Sequence, residues 1–336
     1  MHTKLSESKV RYAMAGLGGF GAKRRETLRQ SGSLTLIGGV DVREASFVQA
    51  EEEERGDIKR YASIEEMASD PEVEAVVIST PAALHVPMAM VAARAGKAVF
   101  CEKPLGPDLD ACRKLVAYCE ENHIPHGHGF SSRYHPPCQE IKRYLDQGIL
   151  GRIVSVSMAS MHTGGLAFER DNWRFEAGEN PGGPLFQCGI HKIDLARYLF
   201  GEGRWISGAV QRAVTSSPTD DAYVLLGVFG GIPLTLHSHY VACYHHTMEI
   251  FGTQGNLLLN EFPTRLAYKK TDLHSGFEPV HDLTDSIPQT DAELESLRDF
   301  AHAVRERRQP RMSGREGLRS LELVFEASHI AHELTA

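Results

Sequence analysis

Lys103 and His191 are the two side chains whose sequence surroundings suit them to move a proton. Lys103 stands just after a short apolar run, inside the triplet Glu102-Lys103-Pro104. An ammonium there can polarise an alcohol and stabilise developing alkoxide, and one depressed by burial can accept the proton instead. A surface lysine after a strand is the plain alternative, although Pro104 stiffens the turn that carries it. His191 precedes Asp194 by three residues, which sets both on one helical face. A helix cap or a core contact is its structural alternative.

The segment Gly16-Leu17-Gly18-Gly19-Phe20-Gly21 ends a β-rich run and opens a helical one, with Gly16, Gly18 and Gly21 at the G-x-G-x-x-G positions. The first glycine allows the tight turn, the second lets backbone N–H groups approach a pyrophosphate, and the third permits close helix–strand packing. Gly19 and Phe20 belong to the same loop. Asp41 closes the next strand, where a carboxylate accepts hydrogen bonds from adenosine ribose hydroxyls, so NAD is favoured as cofactor over NADP. Arg43 blunts that preference, because it either stacks on adenine, pairs with a phosphate, or is a solvated side chain at a helix start.

These residues need elements to hold them. Val10–Ala15, Leu34–Val40, Ala75–Ser79, Ala98–Cys101 and Pro125–Phe130 read as strands, separated by helical patterns at Ala45–Arg55, Ile64–Ser69, His85–Ala95 and Asp110–Asn122. Such alternation predicts a parallel sheet with crossover helices. Ser63 with Glu66 has capping-box spacing. Gly16, Asp41, Thr80, Glu102 with Lys103, and His128 all fall at the carboxyl ends of these strands, the edge at which open α/β sheets bind ligands. After a helix at Pro137–Gln147 the texture changes. Arg152–His162, Arg204–Thr215, Ala222–Phe229, Ile232–Val241 and Thr247–Leu259 predict a mostly antiparallel sheet, with a hairpin at Gly230-Gly231. Helices at Asp291–Arg308 and Gly317–Leu334 close the chain, covering a face or returning toward the first domain. The fold class is therefore α/β: a dinucleotide-binding domain over 1–129, and over 130–336 a second α/β domain with a large open sheet for substrate binding and oligomerisation.

From Ile78-Ser79-Thr80-Pro81 with His85, through Glu102-Lys103-Pro104, Gly129 to Pro136, Gly148 to Ile153 and Asn172-Trp173-Arg174, to Gly189-Ile190-His191-Lys192-Ile193-Asp194, the sequence resembles the Gfo/Idh/MocA family of NAD(P)-dependent oxidoreductases. The resemblance spans nearly the whole chain in the expected order. It implies a Rossmann domain followed by an open-sheet domain, with the cofactor lying between them. It also implies that Thr80, Pro81 and His85 line the cofactor, that Glu102 holds the nicotinamide ribose, and that His191 points into the substrate pocket. His85 has a packing or capping alternative. Many members carry an aspartate four residues before the histidine, where this chain has Gln187, which can hold an imidazole tautomer but cannot stabilise imidazolium as a carboxylate does. Asp194 is expected to accept a substrate hydroxyl, or else to form a helix salt bridge. Trp173, Arg174 and the loop Gly164–Pro184 are expected over the pocket, and Arg133 with Tyr134 faces either substrate or the inter-domain seam.

The expected reaction is hydride transfer between nicotinamide and a secondary alcohol of a sugar, sugar derivative or cyclitol. A redox glycosidase that oxidises its sugar transiently, and a non-enzymatic NAD-binding regulator, are the competing classes. The 36 basic against 44 acidic residues leave a formal charge of -8, which argues against nucleic acid as a partner. No apolar run suits a membrane span. Met1–Lys9 lacks a basic-then-apolar leader pattern, and six cysteines without a CxxC pair read as reduced thiols, so a cytoplasmic location is expected. His237, His239, His245 and His246 lack the companions of a zinc site and read as surface or subunit-interface residues; no metal is expected. A homodimer or homotetramer through the second sheet completes the expectations.

Overall fold

The structure, a computed structural model, describes residues 9–167, 172–212, 214–271 and 280–333, and the side chain of Trp173 lies outside the described residues. The chain divides into two compact units, one of Met1–Ser131 with Asp291–Leu318 and one of Ser132–Thr290 with Arg319–Ala336. Of the two places expected for the C-terminal helices, the excursion over 291–318 takes the return toward the first unit, so the division is not a single cut after 129.

In the first unit the strands are β1 Val10–Ala15, β2 Leu34–Val40, β3 Lys59–Arg60, β4 Ala75–Ile78, β5 Ala98–Cys101 and β6 His126–His128. The helices between them are α1 Phe20–Ser31, α2 Glu44–Glu54, α3 Ile64–Ser69, α4 His85–Arg94 and α5 Leu109–Glu121. The six strands form one sheet in the order β3-β2-β1-β4-β5-β6, every neighbouring pair parallel. Strands β4 and β5 are buried along their whole length, as a sheet covered on both faces requires. Val10, Tyr12, Met14 and Phe100 pack with Leu297 and Phe300 from the returning excursion in one apolar core. Capping sets the helix starts: Ser63 accepts from Glu66 N–H at α3, and Asp108 accepts from Asp110 and Ala111 N–H at α5.

The second unit starts with α6 Pro136–Asp146, β7 Ile153–Met161, α7 Ile190–Phe200, β8 Gly203–Gln211, β9 Ala222–Phe229 and β10 Ile232–His239. It continues through β11 His245–Gly252, β12 Gly255–Glu261, β13 Thr264–Lys270 and β14 Val280–Asp282. In chain order come α8 Ala292–Glu306, which belongs to the first unit, and α9 Gly314–Ile330, which starts there and ends in the second, then β15 Ala331–Glu333. Nine strands build the second sheet in the order β14-β13-β12-β11-β7-β10-β9-β8-β15, antiparallel except for the β7–β10 and β8–β15 pairs. Gly230 and Gly231, at φ 57° and 82°, make the expected hairpin turn.

Two expectations are corrected. The single strand expected over Thr247–Leu259 is a hairpin, because Gly252 and Gly255 flank a reversal in which a Cβ on Gly252 would stand 2.3 Å from the Leu150 carbonyl oxygen. The last helix gives way at Ala331, where the chain pairs with β8 as a strand.

Candidate active site

In the first unit the glycine loop is shaped by close backbone approaches. Gly16 has φ +85°, and a Cβ there would meet Ser79 O at 2.7 Å. A Cβ on Gly21 would lie 2.0 Å from Gly16 O, so the third glycine is what lets α1 start against the loop. Gly19 caps α1 without a side-chain hydrogen bond, and although Gly21 N donates to Gly18 O at 3.0 Å, the start of the helix still suits an anion. Asp41 organises the same loop: its Oδ2 accepts from Leu17 N at 2.8 Å and Gly18 N at 3.2 Å, and its Oδ1 from Arg43 N at 2.9 Å. Burial alone would raise its pKa, but these backbone donors and the Arg43 charge outweigh it and hold the carboxyl below its ordinary value. The Arg43 guanidinium lies against Gly18, so close that a Cβ on Gly18 would meet its Nη2 at 2.3 Å.

At the end of β4, Ser79 Oγ and Thr80 Oγ1 are buried with no hydrogen-bond partner. Buried hydroxyls are seldom left so unless a ligand completes them. Together with the glycine cradle and the uncapped α1 terminus, they fit a dinucleotide at this edge. Pro81 is exposed beside them.

His85 takes the packing alternative. It is 2% exposed, with Nδ1 2.8 Å from Pro104 O and Nε2 2.8 Å from Thr80 O. It therefore braces the two loops that carry Thr80 and Pro104. Burial pushes its pKa down, against the two carbonyl contacts that raise it. Glu102 also turns inward: it is 4% exposed, and its Oε1 accepts from Arg24 Nε at 2.5 Å. That pairing engages one carboxylate oxygen within the first unit. Lys103 follows it, half-buried, with a cis peptide to Pro104.

In the second unit Asp194 is fully buried and accepts a two-pronged grip from Arg133, Nε to Oδ2 at 2.9 Å and Nη2 to Oδ1 at 2.7 Å. Ser320 Oγ donates to the same Oδ1 at 3.3 Å. Both oxygens are engaged inside the protein, as in the salt-bridge alternative for Asp194, here with Arg133 as the partner. Gln187 sits in a π-helical turn, Leu185–Gly189, that feeds α7, and its Oε1 accepts from Arg174 Nε at 3.1 Å. His191 lies half-buried in the first turn of α7. Beside it Lys192 is buried and paired with Glu261 at 2.5 Å, which pins α7 to the end of β12.

Contacts that sequence reasoning missed surround this turn. Gly164 N donates to His162 Nδ1 at 2.9 Å, so the neutral ring carries its proton on Nε2, 3.1 Å from Cys188 Sγ. The strand pleat divides the histidines considered for a metal. His246 pairs with Ser160 and shares its inward face, whereas His237 pairs with Ala159 on the open face. His246 is thus an inward residue and not a surface one; burial lowers its pKa to about 4.

The chain matches a family model described as oxidoreductase family, NAD-binding Rossmann fold, over residues 10–130, and the GFO/IDH/MocA C-terminal domain over residues 138–258. The chain belongs to the Gfo/Idh/MocA family. Among its curated relatives, a 1,5-anhydro-D-fructose reductase of Ensifer adhaerens is 27% identical over 80% of each chain. A myo-inositol 2-dehydrogenase of Thermotoga maritima is 25% identical, covering 96% of this chain and 97% of its own. A levoglucosan dehydrogenase solved with NADH and levoglucosan is similar in fold at a TM-score of 0.87, with 20% identity over 96% of this chain and 97% of that one. The chain is accordingly an NAD(P)-binding oxidoreductase on a Rossmann domain followed by a mostly antiparallel sheet. No helix among the described residues is long and apolar enough to cross a membrane.

Proposed function

We propose that this Gfo/Idh/MocA protein moves hydride between NAD and a secondary alcohol on a polyhydroxylated ring, a sugar, anhydrosugar or cyclitol. The observation that carries the reading is the edge of the first sheet, where the glycine cradle, Asp41 and the unpartnered Ser79 and Thr80 hydroxyls lie at the ends of β1, β2 and β4, in the same parallel sheet as the strand β5 that leads into Lys103. The relatives' names, which speak of anhydrofructose, inositol and levoglucosan, support the ring-alcohol class.

When bound, the nicotinamide ring accepts or returns the hydride. The chain's residues do the rest. The α1 terminus and loop N–H groups take the pyrophosphate, Asp41 takes the adenosine ribose and so selects NAD, and Thr80 contacts the cofactor through its unpartnered hydroxyl. Lys103 Nζ moves the alcohol proton or stabilises the alkoxide, and His191 is the hydrogen-bonding imidazole that the second unit offers. Arg174 fixes the amide of Gln187, so that Gln187 presents a set orientation toward the substrate side of α7. Exposed Val224, Leu226 and Leu258 lie on the open face of the second sheet and support self-association there, and the buried reduced cysteines suit a cytoplasmic protein.

The test is a panel of inositols, anhydrosugars, aldoses and glycosides incubated with the purified protein and NAD⁺ or NADP⁺, read by absorbance of the reduced cofactor and by glycoside cleavage. Cofactor reduction by a ring alcohol is the expected result. Cleavage without net reduction points to the redox glycosidase, and neither reaction with NADH still bound points to the regulator.

A further inference from the structure

Arg24 lies on the second turn of α1, just past the glycine loop, and is 3% exposed. Its guanidinium sits 5.5 Å from the Phe20 ring centroid and 5.6 Å from that of Phe100, and its Nε donates to Glu102 Oε1 at 2.5 Å. A second contact, Nη1 to Glu293 Oε2 at 3.4 Å, is longer and reaches a partly exposed carboxylate. The other oxygen of Glu102 lies against Gly129, where a Cβ would stand 2.5 Å from Oε2. Among the described residues Glu102 thus has Arg24 as its charged partner at close range. A buried ion pair adds little to stability that apolar residues would not supply, so its placement asks for another reason. Here the pair joins the helix behind the pyrophosphate loop to the residue directly before Lys103.

We propose that Arg24 is a positioning residue: it clamps the Glu102 carboxylate and thereby fixes the backbone from which Lys103 reaches the reacting alcohol. The clamp acts through Glu102 and never touches substrate. It rests on the reading of Lys103 given above, and it explains why a carboxylate beside the cofactor edge is withdrawn from solvent.

The experiment uses the full chain as Arg24→Met, Arg24→Lys, Glu102→Gln and the double variant Arg24→Met with Glu102→Gln. Urea unfolding, NADH binding and steady-state kinetics are measured on each. Arg24→Met should lose stability by stranding the carboxylate, and the double variant should regain most of it. Turnover should not recover with it: kcat in the double variant stays about 10- to 100-fold down, with the alcohol KM and NADH affinity near wild type. Arg24→Lys, which keeps the charge, should recover part of kcat. A double variant with both stability and kcat restored would show a purely structural pair and overturn the proposal, as would wild-type kcat in folded Arg24→Met. Additive stability losses in the Arg24–Glu102 cycle overturn it without any turnover being needed. Absence of turnover in the wild type contradicts the functional reading instead, and the cycle still decides whether Arg24 and Glu102 act as a unit.

Discussion

Asp41 does two things with one carboxylate, and a change there should show both. It ties Leu17 and Gly18 of the loop by backbone bonds and retains acceptor capacity for ribose hydroxyls. Asp41→Ala should weaken NADH by roughly 1.5 to 3 kcal/mol, the worth of hydrogen bonds to a charged group. Calorimetric titration checks it, and unchanged affinity would remove Asp41 from the cofactor site. For Asp194 the structure argues the opposite kind of outcome. Asp194→Asn leaves the Arg133 guanidinium, already largely buried, without its counter-charge, so the expected result is a loss of roughly 3 to 5 kcal/mol in urea unfolding. Full stability with lost sugar binding would return Asp194 to the substrate. Both pairings explain what the sequence left open. The glycine loop is legible because residue type alone encodes which backbone positions must lack a Cβ. Arg24 with Glu102 and Arg133 with Asp194 are not, because the partners lie 78 and 61 positions apart and each charge looks the same whether solvated or paired.

At the scale of elements, legibility followed burial. Strands β4 and β5 carry unbroken apolar runs, and the sequence marks them plainly. Strand β3 is two exposed residues and β14 three, so neither has an apolar pattern to read. The β11–β12 hairpin was missed because alternation continues across it and the turn is marked by two separated glycines. Strand β6 carries a further consequence. His126 and His128 are buried, their ring nitrogens have no hydrogen-bond partner, and they pack on the start of α9 so closely that a Cβ on Gly314 would meet His126 Nδ1 at 2.1 Å. Burial lowers the His126 pKa to about 4 and holds that of His128 well below its ordinary value. Above pH 6.5 both states of each ring are neutral and nothing is lost. As pH falls below 6.5 the unfolded chain takes up protons that the folded chain refuses, so stability declines down to the folded pKa, by about 1.4 kcal/mol per pH unit for each ring. Urea midpoints at pH 7, 6 and 5 should fall in step, and His126→Leu should flatten the decline. An unchanged slope in that variant would mean that other groups carry it.

For the whole molecule, the two sheets answer different needs. The parallel sheet gathers Gly16, Asp41, Thr80 and Lys103 at one edge because every strand runs the same way, so that strand ends from distant parts of the sequence converge. The larger sheet supports α7 and its π-helical entrance, with Lys192 pinned to Glu261 and Gly189 against Ser238, where a Cβ would stand 2.6 Å from the hydroxyl. Change of texture near residue 150 announced the second sheet, but the return of 291–318 to the first unit was legible only as one of two alternatives, since an amphipathic helix does not say which core it covers. The central claim is that Lys103 carries the proton step of an NAD-linked alcohol oxidation. It is tested most directly by steady-state turnover of folded Lys103→Ala on the substrate found in the panel, with NADH affinity measured alongside. The account predicts turnover reduced by about 10² to 10⁴-fold with NADH binding largely intact; near-wild-type turnover in that variant would contradict it.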